Sequence, residues 1–157
     1  MEARLNMFGN ENAAKLLKHF TAAGRAITES TLSDTVQELV KIRVSQINGC
    51  AFCLDIHTKE AAHAGETALR LNLIAGWREA TVYTEAERAA LELAEQGTRI
   101  ADGAGGVPDD AWANAAKYFD EGELAALVAL IALMNAFNRL NVVLRNPAGD
   151  YRVGQFA

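Results

Sequence analysis

Proline occurs only at Pro108 and Pro147, so almost the whole chain is free of the residue that most strongly interrupts a helix. Alanine and leucine recur at helical spacing through most of the length, and strand-like alternation of Val, Ile, Thr and aromatic residues is scarce. The expected fold class is therefore all-α. At 157 residues the chain fits one domain, 1–157, since domains hold roughly 100–200 residues. Half of the residues are hydrophobic and 22% are charged, which suits a packed core and is too apolar for a disordered chain. A formal charge of −5 with no basic cluster argues against nucleic-acid binding. The longest apolar run, Leu124 to Met134, falls short of the roughly 20 residues that cross a bilayer, so no membrane span is expected and the run reads as a buried core helix. The leading MEARLNMFGN lacks the basic-then-apolar order of a signal peptide, and two cysteines make no disulfide framework, so the expected location is cytoplasmic.

The pattern predicts six to seven helices. The first covers about Glu11 to Thr28, with Ala13, Leu16, Leu17, Phe20 and Ala23 on its packing face. The second follows Ser33, a suitable N-cap, and carries Val36, Leu39, Val40, Val44 and Ile47 until Asn48-Gly49 breaks it. A third runs from around Cys50 to Gly65, a residue suited to a left-handed terminus, and Thr67 to Trp77 reads as a fourth. Thr84 with Glu87 forms a capping-box pattern that opens a helix to about Ile100. Asp102 to Val107 is a glycine-rich loop, and Pro108 opens a short helix through Trp112 to Tyr118. Asp120 with Glu123 repeats the capping pattern before a last long helix to about Val143. Trp77, Trp112 and Phe119 are expected in the core, and Asn135, Asn138 and Asn141 as structural amides of the last helix.

The two cysteines, Cys50 and Cys53, stand three residues apart, close enough on a helix for their sulfurs to form a disulfide within one turn. As a staple that loop would contribute only about 2 kcal/mol, so redox chemistry explains the pair better than structural duty. Cys50 falls near a helix N-terminus, where free N–H groups and the helix dipole favour thiolate. His57 shares the helical stripe of both cysteines and places a base near them. Glu38, on the preceding helix beside Val36, Leu39 and Val40, is a half-buried carboxylate whose pKa is expected to be raised, so that it could accept a proton; Lys41 is its candidate i+3 neighbour. A zinc half-site would use Cys50, Cys53 and His57, but no second CxxC or Cys/His pair completes a tetrahedron, so no metal is expected.

Glu38, eleven residues, Cys50-x-x-Cys53, three residues and His57, within ELVKIRVSQINGCAFCLDIH, closely resemble the signature of the alkylhydroperoxidase AhpD-like proteins of the carboxymuconolactone decarboxylase superfamily. The likeness continues through Gly65-Glu66-Thr67, Trp77-Arg78-Glu79, Thr84 to Leu91 and Asn135 to Asn141, and covers most of 30–147. The resemblance implies an all-helical AhpD-like domain with the CxxC at the start of a helix in a helix hairpin, in a homo-oligomer, usually a trimer or hexamer. By the family scheme Cys53 attacks a hydroperoxide and becomes a sulfenic acid, Cys50 condenses with it to a disulfide, and Glu38 with His57 relays protons. No tightly bound cofactor is implied. An external dithiol resets the pair; in the best-known members this is a lipoyl group, and a peroxiredoxin is a redox partner. AhpD proper carries histidine just before the second cysteine where this chain has Phe52, whose apolar ring cannot relay protons and dries the pocket. The decarboxylase branch generally lacks the cysteine pair, which disfavours decarboxylation here.

The leading expectation is a thiol-dependent peroxidase. A thiol–disulfide exchange or redox-sensing protein needs the same low-pKa thiolate and stands as the alternative. A noncatalytic helical assembly domain is disfavoured by the poor stabilising value of so short a disulfide loop.

Overall fold

The computed structural model describes residues 2–7, 9–103 and 105–156. Ala104, inside the expected glycine-rich loop, lies outside the described residues, as do the two ends of the expected domain. Among the described residues there are seven α-helices, one short 3₁₀ helix and no strand: α1 (Glu11–Thr28), α2 (Asp34–Asn48), α3 (Ala51–His63), α4 (Ala68–Leu73), the 3₁₀ turn Ile74–Gly76, α5 (Glu85–Thr98), α6 (Asp109–Ala115) and α7 (Glu121–Leu144).

Local chemistry explains where the helices begin and end. Asn10 caps α1 by accepting from the N–H groups of Asn12 and Ala13, and Ser33 caps α2 by accepting from Val36. Thr84 with Glu87, and Asp120 with Glu123, form complete capping boxes at the heads of α5 and α7. Gly49 ends α2 in the left-handed region at φ 66°, and Gly65 follows α3 at φ 100°, conformations that cost a residue with a Cβ but not glycine. The expected fourth helix divides into α4 and the 3₁₀ turn, which drives Ile74 into full burial and Trp77 nearly so. The sixth helix stops at Ala115, short of the expected Tyr118.

Helix α2 is the central element and packs against α3, α5 and α7, while α1 lies on α7. Its Val40, Ile42 and Val44 are fully buried on different sides, which is why its apolar residues do not form one stripe. One cluster joins Val40, Val44, Leu93, Leu127, Leu130 and Met134 and embeds both cysteines. A second, around Leu39, Ile42, Ile74, Trp77, Tyr83 and Leu91, seats α4 and the 3₁₀ turn against α2.

Two burial expectations fail. The α1 face packs only in part: Ala13 is buried, but Leu16 is 59% exposed and Ala23 is also exposed. The cause is that α1 packs mainly along α7, leaving an apolar groove of about 490 Å³ lined by Leu5, Leu16, Phe20, Leu140, Val143 and Leu144 among others. Trp77 and Phe119 are core residues as expected, whereas Trp112, on the short α6, is exposed. Helix α7, which carries the apolar run, has 24 residues and is long and apolar enough to cross a bilayer by length and composition; here Leu127, Leu130 and Met134 pack in the core while Val128 and Val143 face outward.

Helix α7 ends in a Schellman arrangement: Asn146 N–H donates to the Asn141 carbonyl at 3.0 Å and Arg145 N–H to that of Val142 at 3.2 Å. Arg145 thereby takes φ 56°, the one positive φ among described non-glycine residues. Its side chain is exposed, so Arg145→Gly is expected to raise the unfolding free energy by about 0.5–1 kcal/mol in urea titration, by relieving the left-handed backbone.

Candidate active site

The α2–α3 hairpin turns through Asn48, Gly49 and Cys50. Cys50 has two local duties: its N–H donates to the Ser45 carbonyl at 2.9 Å and closes α2, and its Sγ accepts from the N–H of Cys53 at 3.3 Å and caps α3. The turn is tied to α7 by the Asn48 amide, which donates to Asn135 Oδ1 at 3.1 Å and Asn138 Oδ1 at 3.0 Å. Asn138, fully buried, passes the tie back to α2 by donating to Ser45 Oγ at 3.1 Å. These bonds satisfy amides that would otherwise be stranded in an apolar helix, and they hold the cysteine turn rigid.

Both cysteines are free thiols, with Cys50 1% and Cys53 3% exposed. Their environments differ. The hydrogen bond from Cys50 holds the Cys53 thiol below its ordinary value against the opposing effect of burial, with further help from the Asn138, Asn141 and Ser45 side chains. The same contact pushes Cys50 well up, because it donates to Cys53 and is buried beside a neighbouring negative charge. The helix N-terminus is the reason in the sequence to favour thiolate at Cys50; the structure gives that advantage to Cys53, which takes the Cys50 hydrogen bond and, in addition, the Asn141 donor of α7. Asn141 Nδ2 donates to Cys53 Sγ at 3.4 Å.

On the outer part of the hairpin, Glu38 of α2 accepts from Lys41 at 2.8 Å and contacts His57 Nδ1 of α3 at 3.1 Å. Helix packing thus joins two of the expected site residues across 19 positions of sequence. Burial would raise the Glu38 pKa, but the hydrogen bonds and charges of His57 and Lys41 outweigh it and leave it below the ordinary carboxylate range. The expected raised value is therefore corrected: Glu38 is a settled anion rather than a poised acid. An acceptor on Nδ1 keeps the imidazole proton there and leaves Nε2 as the proton-transfer atom. Among the described residues no direct hydrogen bond joins Glu38 or His57 to either sulfur, so a proton moving between them must pass through substrate or water. Nor does any group of three or more His, Cys, Asp or Glu side chains gather there as a metal site would need.

Phe52, between the cysteines, is partly buried against the core and faces Phe156 with ring centroids 6.3 Å apart. Phe156 arrives on the C-terminal segment, which is strapped to the outer face of α3. Asp55 accepts from the N–H groups of Gly149 at 2.7 Å and Tyr151 at 3.1 Å, and Lys59 donates to their carbonyls. Glu60 accepts from the Gly154 N–H at 2.8 Å and from the Tyr151 hydroxyl. Sequence reasoning missed the strap, and it took Asn141 as a structural amide without placing it at Cys53. For Asn141 a signal existed, since Asn135, Asn138 and Asn141 repeat every three residues along one side of an apolar helix. The strap's partners lie some 90 positions away on α3, and nothing local announces them.

Residues 13–96 match the carboxymuconolactone decarboxylase family. The chain is 41% identical over 122 residues to the uncharacterized protein YdfG of Bacillus subtilis (strain 168), covering 78% of this chain and 82% of that protein. Its fold superposes with a TM-score of 0.88 on a solved Agrobacterium tumefaciens protein of unknown function, ATU0492, a candidate antioxidant defence protein AhpD; identity is 35%, covering 96% of this chain and all of that one. The debrominase Bmp8 shares the fold alone, with a TM-score of 0.74 at 18% identity, covering 88% of this chain and 74% of that one. With the Glu38-Cys50-Cys53-His57 constellation standing in an all-helical fold of this kind, the chain belongs to the carboxymuconolactone decarboxylase family, as an AhpD-like member.

Proposed function

We propose that this protein is a thiol-dependent peroxidase that reduces hydroperoxides through Cys53 and Cys50. The observation that carries the reading is the asymmetry of the buried pair: one sulfur is provided with donors that favour thiolate, and the other retains its proton one helical turn away. In the proposed cycle Cys53 thiolate attacks the nearer peroxide oxygen, the O–O bond breaks, and the departing alkoxide takes a proton to leave as alcohol. Cys50 then attacks the Cys53 sulfenic acid, forming the disulfide and releasing water. An external dithiol, such as a lipoyl group alone or one carried by a protein, reduces the disulfide through a mixed disulfide and is itself oxidised. His57, oriented by anionic Glu38, is the proposed proton donor and acceptor for these steps.

Burial of both sulfurs favours a small peroxide over a folded protein disulfide, which would need an exposed thiol to attack. The test compares initial rates of dithiol oxidation driven by an alkyl hydroperoxide and by an oxidised protein substrate. Faster turnover of the peroxide is expected; faster turnover of the protein disulfide would replace the reading with thiol–disulfide exchange. Glu38→Gln, which keeps an acceptor but loses the charge, is expected to lower peroxide turnover by roughly a hundredfold in the same assay.

The proposed enzyme works as a homo-oligomer, a trimer or hexamer. In support, the α1–α7 groove and the outward Val128 and Val143 of α7 leave apolar side chains exposed of the sort that a partner subunit covers.

A further inference from the structure

The Asn141 side chain has its amide direction fixed by three contacts. Its Nδ2 donates to the Phe137 carbonyl at 2.9 Å, an atom that can only accept, so the nitrogen must lie on that side. Its Oδ1 accepts from Asn146 Nδ2 at 2.7 Å. The remaining Nδ2 hydrogen points to Cys53 Sγ at 3.4 Å. Asn146 is in turn anchored by the Schellman bond from its own N–H to the Asn141 carbonyl at 3.0 Å. The left-handed turn at Arg145 therefore returns the chain so that Asn146 holds the amide whose other end meets the sulfur.

We propose that Asn141 is a catalytic residue whose amide stabilises the negative charge on Cys53, and that Asn146 is the positioning residue that keeps the amide donor turned toward it. This rests on the reading of Cys53 as the attacking thiol. A donor already aimed at an anion in a dry site needs no reorganisation when the charge forms, which is the condition under which a single hydrogen bond has a large effect. Cys50, the N-cap of α3, is the titratable group in contact with Cys53, and the Glu38 carboxylate of α2 and the His57 imidazole of α3 make no direct bond to the sulfur. Asn141, with Asn138 from the same helix, is the contribution of α7 and carries no charge of its own.

The experiment titrates the thiolate by its ultraviolet absorbance in a Cys50→Ser background, where Cys53 is the sole thiol and the serine hydroxyl keeps a donor beside it. Asn141→Leu is expected to raise the titration midpoint by about one pKa unit, the size of one hydrogen bond to a charged acceptor. Asn141→Asp, which puts a carboxylate against the sulfur, is expected to raise it further, and Asn146→Ala, at a part-exposed position, to raise it by a smaller amount. Alkylation of Cys53 near neutral pH should slow in the same order. If Asn141 serves only to pack α7, its variants will lower the melting temperature and leave the midpoint unmoved, and the proposal fails. A wild-type protein that shows the low midpoint yet consumes no peroxide would overturn the peroxidase reading alone. Coincident titration curves for the Asn141 variants and their Cys50→Ser parent would overturn this inference alone.

Discussion

Cys53→Ser is expected to abolish peroxide-driven oxidation of a dithiol, lowering turnover by on the order of a thousandfold or more, while Cys50→Ser is expected to keep the first chemical step and lose the second. The difference follows from the two environments. Cys53 carries the donors that favour thiolate, and a serine hydroxyl in its place has neither the acidity nor the nucleophilicity to attack a peroxide. Cys50, held protonated beside it, is needed only after sulfenic acid has formed. In the Cys50→Ser protein one equivalent of peroxide should therefore leave Cys53 one oxygen heavier by mass spectrometry and open to a sulfenic-acid trapping reagent. Both cysteines are buried in one cluster with Val40, Val44 and Leu127, and serine is a near-isostere of each, so both variants should fold. Equal peroxide consumption by Cys53→Ser and wild type would end the peroxidase proposal.

The largest stability loss is expected at Glu95. Its carboxylate, buried on α5, accepts from Trp77 Nε1 at 2.9 Å, from Arg43 at 2.5 and 2.7 Å, and from Arg78. Arg78 is half exposed and can return to water, but Arg43 of α2 and the Trp77 N–H cannot do so without opening the core. Glu95→Ala removes the shared acceptor and is expected to cost about 3 kcal/mol in chemical denaturation, with Glu95→Gln recovering part of the loss. The pH dependence has a definite sign. Burial acts to raise the Glu95 pKa, but Arg78, Trp77 and Arg43 outweigh it and hold it below the ordinary value. A carboxyl with a lower value folded than unfolded contributes stability that is complete above the unfolded value, about 4.3, and is lost as pH falls through the folded value. Glu87, paired with Arg70 at 2.6 Å, and Glu38 are depressed in the same way, so wild-type stability should fall steeply on acidification and Glu95→Ala should fall less steeply.

The helices were legible because their causes are local. Ser33, Thr84, Asp120, Gly49 and Gly65 act within a few residues of themselves, and the ends they mark stand where the spacing predicts. The break at Asn48-Gly49 before Cys50 was legible for the same reason, whereas the hairpin that carries Cys50 and Cys53 was expected only from the family resemblance. Burial of α1 was not legible, since whether Leu16 is covered depends on how far the neighbouring helices extend around it and not on the spacing of its own face.

The candidate site divides along the same line. With Glu38 joining from the preceding helix, the spacing of Cys50, Cys53 and His57 pointed to thiol chemistry, because residues three and four apart on a helix share a face whatever the rest of the chain does. It could not say which sulfur is the more acidic, nor that Glu38 is a settled anion, because a pKa is set by the charges and donors within a few ångströms, and here many of those come from elsewhere in the fold. Asn141 lies 88 positions from the sulfur it meets, and Gly149 and Tyr151 more than 90 from the Asp55 that holds them. Periodicity and capping along the chain were enough to specify a helical domain with a dithiol at a turn; the direction of the hydrogen bond between the two thiols, and the amide donors that α7 adds at Cys53, were decided by the packing of α7 against the turn, because a buried sulfur feels every donor within reach and most of the chain cannot announce such a contact locally.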